Sequence, residues 1–301
     1  MDKITLRSPA KINLFLKITG KRPDGYHNIS TIFQTVSLYD EIIIEKNDSG
    51  LTVDCDNKEI PSGQENLAFK AASLTFRACG ASFGAAISIR KKIPVLAGLG
   101  GGSGNAAAVI VGIDRLYGLN LPENIKEEIA AKCGADVPFL LKGGTALGEG
   151  VGEKLKHLKP VEDVYFVLVN PGQKKPSTKE IYAGFRMRLT NNPPWDNNIE
   201  SFLKKENKTG GDIAGILFND LEPITDRLIP AVSVIKKSLL SLGALGAMMT
   251  GSGPTVFGVY GTEEAAKRAA VKLKDMYNWV YISKSCSADL NEEENQWRSP
   301  K

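Results

Sequence analysis

Cysteine is scarce in this 301-residue chain, and the four present, Cys55, Cys79, Cys133 and Cys286, are far apart with none in a CxxC pair. The two histidines, His27 and His157, complete no metal-ligand spacing with them. A zinc site and a disulfide framework are therefore not expected, and reduced thiols point to the cytoplasm. No stretch reaches the roughly 18 apolar residues of a membrane span, and the opening Met-Asp-Lys-Ile-Thr-Leu-Arg lacks an apolar signal core. Neither a membrane nor a secretory route is expected. Charge of one sign is also lacking: 38 Lys plus Arg stand against 34 Asp plus Glu, a net of +4. That excess is too diffuse for nucleic acid and suits an anionic small molecule.

What is present, 42% hydrophobic and 24% charged residues with 30 glycines, is the composition of a globular protein. The length allows one large domain or two of ordinary size, and no internal repeat is visible. The first third reads as strand: Ile4 and Leu6 alternate with polar neighbours, Ile12 to Ile18 is a second run, and Ile42 to Ile44 lies between glutamates. Helix follows over 66–78, strand over 86–90 and helix from about Ser103 to Tyr117, with Gly118 as its stop. Pro122 opens another helix, for which Gly134 suits the far end. Composition shifts to linker material between about 186 and 212. Strands over 164–169 and 255–260 and helices over 228–242 and 262–277 complete the chain. Strands precede helices in runs rather than alternating strictly, so the expected class is α+β.

The strongest chemical signal is Pro94-Val-Leu-Ala-Gly98-Leu-Gly100-Gly101-Gly102-Ser103-Gly104-Asn105, running straight into an Ala/Val/Ile helix. Four glycines within five residues remove the Cβ atoms that keep a bulky anion from the backbone. The first-turn amides of the following helix then point at the ligand, and the helix dipole favours negative charge there. A di- or triphosphate is the natural guest. No Lys-Ser or Lys-Thr follows the glycines, so this is not a P-loop. The dinucleotide fingerprint fails too, because Asp114, the nearest acid, falls inside the helix. A branched side chain at Gly101 is expected to intrude on the phosphates.

Three segments in order resemble the motifs of the GHMP kinases, which include galactokinase, homoserine kinase and mevalonate kinase. They are Ser8-Pro-Ala-Lys11-Ile-Asn13-Leu14, Pro94 to Ala107, and Thr250-Gly251-Ser252-Gly253-Pro254-Thr255-Val256-Phe257. The resemblance implies a two-domain α+β fold with the active site in the cleft between domains. The expected division is 1–160 for an N-terminal nucleotide-binding domain, 161–286 for a C-terminal domain, and 287–301 for a mobile tail. It also implies ATP as phosphoryl donor, with Mg²⁺; a monomer or weak homodimer is expected. Arg22-Pro-Asp-Gly25-Tyr26-His27 and Gly134-Ala-Asp136-Val-Pro-Phe139 are similar to one branch of the family. That branch phosphorylates a hydroxyl of a small molecule carrying a cytidine diphosphate, on a route to isoprenoid precursors.

By this resemblance Lys11 and Asp136 are the catalytic pair, Asp136 accepting the hydroxyl proton and Lys11 holding the carboxylate and the incoming oxygen. Read locally, an Asp at this position is also an ordinary helix cap. The nucleotide falls to Asn66, near the adenine though read locally an ordinary helix cap, and to Pro94, Ala97, Gly98, Leu99, Gly100, Gly101, Gly102, Ser103 and Gly104. Ser103 is further expected as a Mg²⁺ ligand, and its local alternative is again a cap. The acceptor substrate falls to Asn13, Tyr26, His27, Thr178, Tyr182, Gly251 and Ser252, with Tyr26 and Tyr182 as opposing faces for the cytosine and His27 at its polar edge. One departure stands out. The family usually places three residues between Pro-Gly and Ser-Thr, whereas Pro171-Gly172 is followed here by Gln173-Lys174-Lys175-Pro176 before Ser177-Thr178.

Overall fold

The computed structural model describes residues 2–48, 50–80, 84–185, 196–287 and 290. The chain begins with two long strands, β1 (Lys3–Lys21) and β2 (His27–Lys46), paired antiparallel, then β3 (Leu51–Cys55). Helix α1 (Leu67–Ala78), β4 (Ala85–Arg90) and helices α2 (Gly101–Tyr117), α3 (Glu123–Cys133) and α4 (Val137–Lys142) follow. Strands β5 (Thr145–Glu149) and β6 (Lys154–His157) close this half. The second half runs β7 (Tyr165–Asn170), α5 (Thr178–Ala183), α6 (Asp196–Lys204), α7 (Gly210–Ala214), β8 (Phe218–Asn219), α8 (Glu222–Leu228) and α9 (Ala231–Ser241). Strands β9 (Gly246–Met249) and β10 (Val256–Tyr260), helix α10 (Glu263–Lys274) and β11 (Trp279–Lys284) end it.

The strands form two sheets. The first has the order β3-β4-β2-β1-β8, with β5 and β6 attached to β2; the second has the order β11-β7-β10-β9. Side-chain alternation explains how they stack. Ile4, Leu6, Ile42 and Ile44 pack on α1 to α4, while Ala10, Ile12 and Leu14 pack with Phe166, Leu168 and Phe257 of the second sheet. Val167, Val169 and Val256 point the other way, onto α8 to α10. The layers are helices, sheet, sheet, helices.

Two features of β1 and β8 matter for the site. Lys11 and Asn13 alternate with Ile12 and Leu14, so they leave the inter-sheet core and face the helix side. Strand β8 comes from the second half yet pairs in parallel with β1, Phe15 opposite Phe218 and Leu16 opposite Asn219. That short pairing fastens the third glycine turn to the first sheet.

Several elements differ from the sequence reading. Helix α2 starts at Gly101, inside the glycine run, with Gly100 as its cap at φ 71°. Within the expected linker, 186–195 lies outside the described residues, while α6 and α7 are helical; Thr209 and Asp212 form a capping box that starts α7. The helix expected over 228–242 is α9, which begins behind Pro230 at Ala231; α8, ending at Leu228, precedes that span and was not expected. Of the expected tail, only Ser287 and Leu290 fall among the described residues. Leu290 is buried on the first core, and Arg115 donates to its carbonyl at 2.7 Å.

Candidate active site

Lys11 sits in the middle of β1 and is 4% exposed. Its ammonium donates to Asn13 Oδ1 at 2.7 Å and lies 3.4 Å from Asp136 Oδ2. It also stands 5.4 Å above the Phe33 ring, whose negative face favours a cation. Asn13 is fixed in turn: Nδ2 donates to Thr31 Oγ1 at 2.8 Å, and its backbone N–H donates to Thr250 Oγ1 at 3.0 Å. The first and third motif segments thus meet at one asparagine. Asp136 occupies the cap position of α4, but its carboxylate makes no capping hydrogen bond. The capping alternative is set aside by that geometry, and the carboxylate is left for the ammonium.

The glycine loop passes directly over Lys11. The Lys11 amide donates to Leu99 O at 2.9 Å, and a Cβ on Gly100 would stand 2.9 Å from Lys11 Cγ. Gly100 also has φ 71°, which favours glycine. With Gly100 as cap, the amides of Gly101, Gly102 and Ser103 have no acceptor within their helix. They form the positive end of a 17-residue helix beside Lys11. Ser103 is at the third helical position rather than the cap, and among the described residues its hydroxyl has no hydrogen-bond partner. Pro94 and Ala97 complete the loop; the Ala97 carbonyl accepts from the Thr255 amide at 3.4 Å. Gly104 packs so tightly that a Cβ would meet Ser8 Oγ at 2.6 Å.

The expectation for Gly101 is corrected here. A Cβ on Gly101 points into the protein, 3.0 Å from both Ile93 Cγ2 and Lys91 Nζ, rather than toward a bound phosphate. Gly102 is the exposed glycine, with only Leu67 Cδ1 near its Cβ position at 3.7 Å. Asn66 is the cap of α1: its Oδ1 accepts from the Ala68 amide at 2.9 Å, and its Nδ2 donates to Pro61 O at 2.8 Å. The side chain is held by protein on both sides, so it shapes the wall beside the loop.

On the opposite side, His27 and Tyr182 are brought together with ring centroids 5.6 Å apart, despite the longer loop before Ser177. Phe185, which the sequence reading missed, approaches His27 edge-on at 6.4 Å. Tyr26 is 66% exposed on the turn between β1 and β2. Burial, and secondarily the charge of Lys21, holds the His27 pKa below its usual 6.5. Its neutral ring has one donor and one acceptor nitrogen. Burial, and secondarily the charge of Asp136, raises the Tyr182 phenol. Thr178 precedes Tyr182 by four residues on α5, so the two share a face. The Thr178 and Ser252 hydroxyls lie 3.1 Å apart.

Two more residues missed in the sequence hold the third turn and its surroundings. Asn219 donates to Met249 O at 2.8 Å and to Gly251 O at 2.9 Å, locking the turn that carries Gly251 and Ser252. Lys175 folds inward onto Ser252 Oγ at 2.9 Å, and burial lowers its pKa to about 8. An Asn-Asp-Leu run behind an apolar stretch was the only signal for Asn219, and the extra residue before Ser177 the only one for Lys175.

A charged pair facing a helix N-terminus across a glycine loop is an arrangement for moving a phosphoryl group. Family models agree with that reading: "GHMP kinases N terminal domain" matches residues 66–144 and "GHMP kinases C terminal" matches 198–278. The chain belongs to the GHMP kinases. It is a kinase of two family domains, and its α+β architecture is theirs. Among curated GHMP kinases, the 4-diphosphocytidyl-2-C-methyl-D-erythritol kinase of Geobacter sp. (strain M21) is 43% identical over 280 residues, 93% of this chain and 97% of that protein. The enzyme of the same name from Acetivibrio thermocellus is also 43% identical, over 91% of this chain and 96% of its own. A crystal structure of 4-(cytidine 5'-diphospho)-2C-methyl-D-erythritol kinase superposes with a TM-score of 0.76 at 32% identity, covering 93% of this chain and 98% of that one. Homoserine kinase from Cytophaga hutchinsonii, at 20% identity and a TM-score of 0.77, shares the fold.

Proposed function

We propose that this GHMP kinase transfers the γ-phosphoryl group of ATP to the 2-hydroxyl of 4-diphosphocytidyl-2-C-methyl-D-erythritol. The observation that carries the reading is the aromatic group of His27, Tyr182 and Phe185, linked to the Lys11–Asp136 pair through Thr178, Ser252 and Gly251. Kinases of this fold that act on homoserine or mevalonate have no base to recognise. Relatives more than 40% identical over nearly their whole length carry the cytidine-linked name, which supports the same substrate.

Phosphoryl transfer has a loose transition state, so positioning and charge stabilisation provide most of the catalysis. In this reading the amides of Gly101, Gly102 and Ser103 take the donor's phosphate oxygens, with Asn66, Pro94, Ala97, Gly98, Leu99 and Gly104 shaping the loop. Asp136 accepts the hydroxyl proton as the oxygen attacks. Lys11 is held by Asn13 and the Leu99 carbonyl, so its ammonium is already aimed at the oxygen where negative charge develops. Tyr26, exposed and free to turn, closes on one face of the cytosine while Tyr182 offers the other and His27 meets the base edge. Thr178, Gly251 and Ser252 line the path between base and acceptor hydroxyl.

Among the described residues no group of three acidic, His or Cys side chains could hold a metal ion by itself. The unpartnered Ser103 hydroxyl at the helix start fits Mg²⁺, which keeps several waters and binds mainly through substrate phosphates. When bound, Mg²⁺ supplies charge neutralisation at the phosphoryl group being transferred. The division near residue 160 and a cytoplasmic setting belong to the same proposal; the four cysteines are all free thiols, which supports a reducing compartment. The test is coupled measurement of ADP release with purified protein, ATP, Mg²⁺ and the cytidine-linked alcohol. Turnover with homoserine or mevalonate, and none with the cytidine-linked alcohol, would replace this reading with another member of the family.

A further inference from the structure

We propose that Lys175 is a further substrate-binding residue, a cation that holds the diphosphate of the acceptor substrate beside the Ser252 turn. The inference rests on the cytidine-linked reading of the site. Its starting point is the one-residue-longer loop between β7 and α5. Asn170 anchors that loop: its Nδ2 donates to Thr255 Oγ1 at 3.0 Å and its Oδ1 accepts from the Gly172 amide at 2.8 Å. The two lysines beyond it behave differently. Lys174 points outward, with a 91% exposed side chain that meets Glu59 at 3.2 Å. Lys175 points inward, donating to Ser252 Oγ at 2.9 Å, Thr178 Oγ1 at 3.4 Å and the Pro176 carbonyl at 3.5 Å.

All three partners are neutral. Among the described residues no carboxylate lies within ion-pair distance of the Lys175 ammonium. A partly desolvated cation without a counter-charge is unfavourable unless a ligand brings one. The burial that lowers its pKa reflects the same shortage. An ammonium flanked by two hydroxyls 3.1 Å apart is a donor set matched to phosphate oxygens.

The position selects the acceptor's phosphates over those of ATP. Thr178 shares a helix face with Tyr182, one wall of the base site. Ser252 follows Gly251, whose Cβ position lies 3.5 Å from Lys11 Nζ. Lys175 therefore stands between the aromatic group and the reacting end, where the diphosphate linking cytidine to the alcohol has to run. The ATP phosphates belong to the first turn of α2, which rises from the loop over Lys11.

The test compares CDP with cytidine by calorimetry on the wild-type chain, Lys175→Met and Lys175→Arg, and reads KM and kcat on the same proteins. Expected is a loss of about tenfold in CDP affinity for Lys175→Met, the size of one charge-assisted hydrogen bond. Affinity for cytidine and for a non-hydrolysable ATP analogue should stay within about twofold, by the same scale, and Lys175→Arg should recover most of the loss. Substrate KM should rise with kcat nearly kept, because such binding is equal in ground and transition states. Equal CDP affinity in wild type and Lys175→Met overturns the proposal alone, as does a parallel loss for cytidine. Failure of the wild-type chain to bind either cytidine or CDP overturns the substrate reading, and this inference with it.

Discussion

A Cβ placed on Gly98 would stand 2.3 Å from the carbonyl oxygen of Thr250. Two glycine segments separated by 152 residues therefore touch backbone to backbone, and Thr250 Oγ1 adds a hydrogen bond to Gly98 O at 3.4 Å. Gly98 also has φ 80°, in the region that favours glycine. Gly98→Ala is expected to push the loops apart and to strain the backbone at once. The loss should be about 1–3 kcal/mol, the range for forced overpacking, read as a lower midpoint in urea. Because the displaced loop carries Leu99 and Gly100 over Lys11, kcat should fall in the same variant. Full stability and activity in Gly98→Ala would mean that the two segments are not packed this way.

Asp136→Asn changes the group least in shape and most in chemistry. It removes the carboxylate 3.4 Å from Lys11, the proposed proton acceptor, and leaves the helix α4 cap untouched, since the carboxylate makes no capping bond. The expected fall in kcat is about 10²–10⁴, with affinity for an ATP analogue unchanged. Steady-state kinetics beside equilibrium binding separates the two. A variant with normal kcat would remove Asp136 from the reaction.

The glycines of the phosphate loop should divide by direction. Gly101→Val drives its side chain into Ile93 and Lys91, so its first consequence is lost stability. Gly102→Val faces open space beside Leu67 and should fold normally while weakening ATP binding. Thermal unfolding and nucleotide titration on both variants test the contrast, which the opposite pattern would reverse.

Beneath that loop lies a buried ion pair whose loss should be felt widely. Asp40 accepts from the Lys91 ammonium, from the Lys92 and Ile93 amides at 2.8 and 2.9 Å, and from Asn105 Nδ2 at 2.9 Å. The Asp40 side chain has no exposure and that of Lys91 only 6%. Asp40→Ala leaves a buried, uncompensated ammonium, expected to destabilise by about 3–5 kcal/mol. Urea unfolding measures it; the double replacement Asp40→Ala with Lys91→Met should recover part of the loss.

The residues that carry local signals were readable before the fold. Glycines in a row, a lysine and an asparagine two apart in a strand, and a Tyr-His pair in a glycine turn each announce a backbone or chemical need within a few positions. Even the α+β class followed from the order of strands and helices. Asn219 and Phe185 were not readable, because their meaning depends on which distant turn or ring they meet. Asn219 reaches Gly251 only because a two-residue strand crosses to β1, and no periodicity marks a strand so short. The direction of Gly101 was misjudged for a related reason: helix α2 begins at that residue, and a helix start decides which glycines look outward. Asn66 shows the reverse, a cap legible in the sequence and found as one.

Lys175 makes the pH dependence of acceptor binding predictable in sign. Its ordinary value of 10.5 is lowered to about 8 by burial, so the free protein carries the ammonium below that pH and loses it above. The groups facing it, the Ser252 and Thr178 hydroxyls and the Pro176 carbonyl, do not titrate in this range. His27 is held below 6.5 by burial, and Tyr182 is raised by burial and Asp136, so neither changes charge between pH 7.5 and 9.5. The terminal phosphate of CDP has completed its second ionisation, near pH 6, before that window opens. CDP affinity of the wild-type chain should therefore decline as pH rises from about 7.5 to 9.5, by up to the tenfold ascribed to the ammonium. Cytidine affinity should stay level across the window, and in Lys175→Met the CDP curve should be level too. Calorimetric titrations at half-unit intervals give all three curves. A decline that persists in Lys175→Met would assign the titration to another group and remove the charge of Lys175 from recognition.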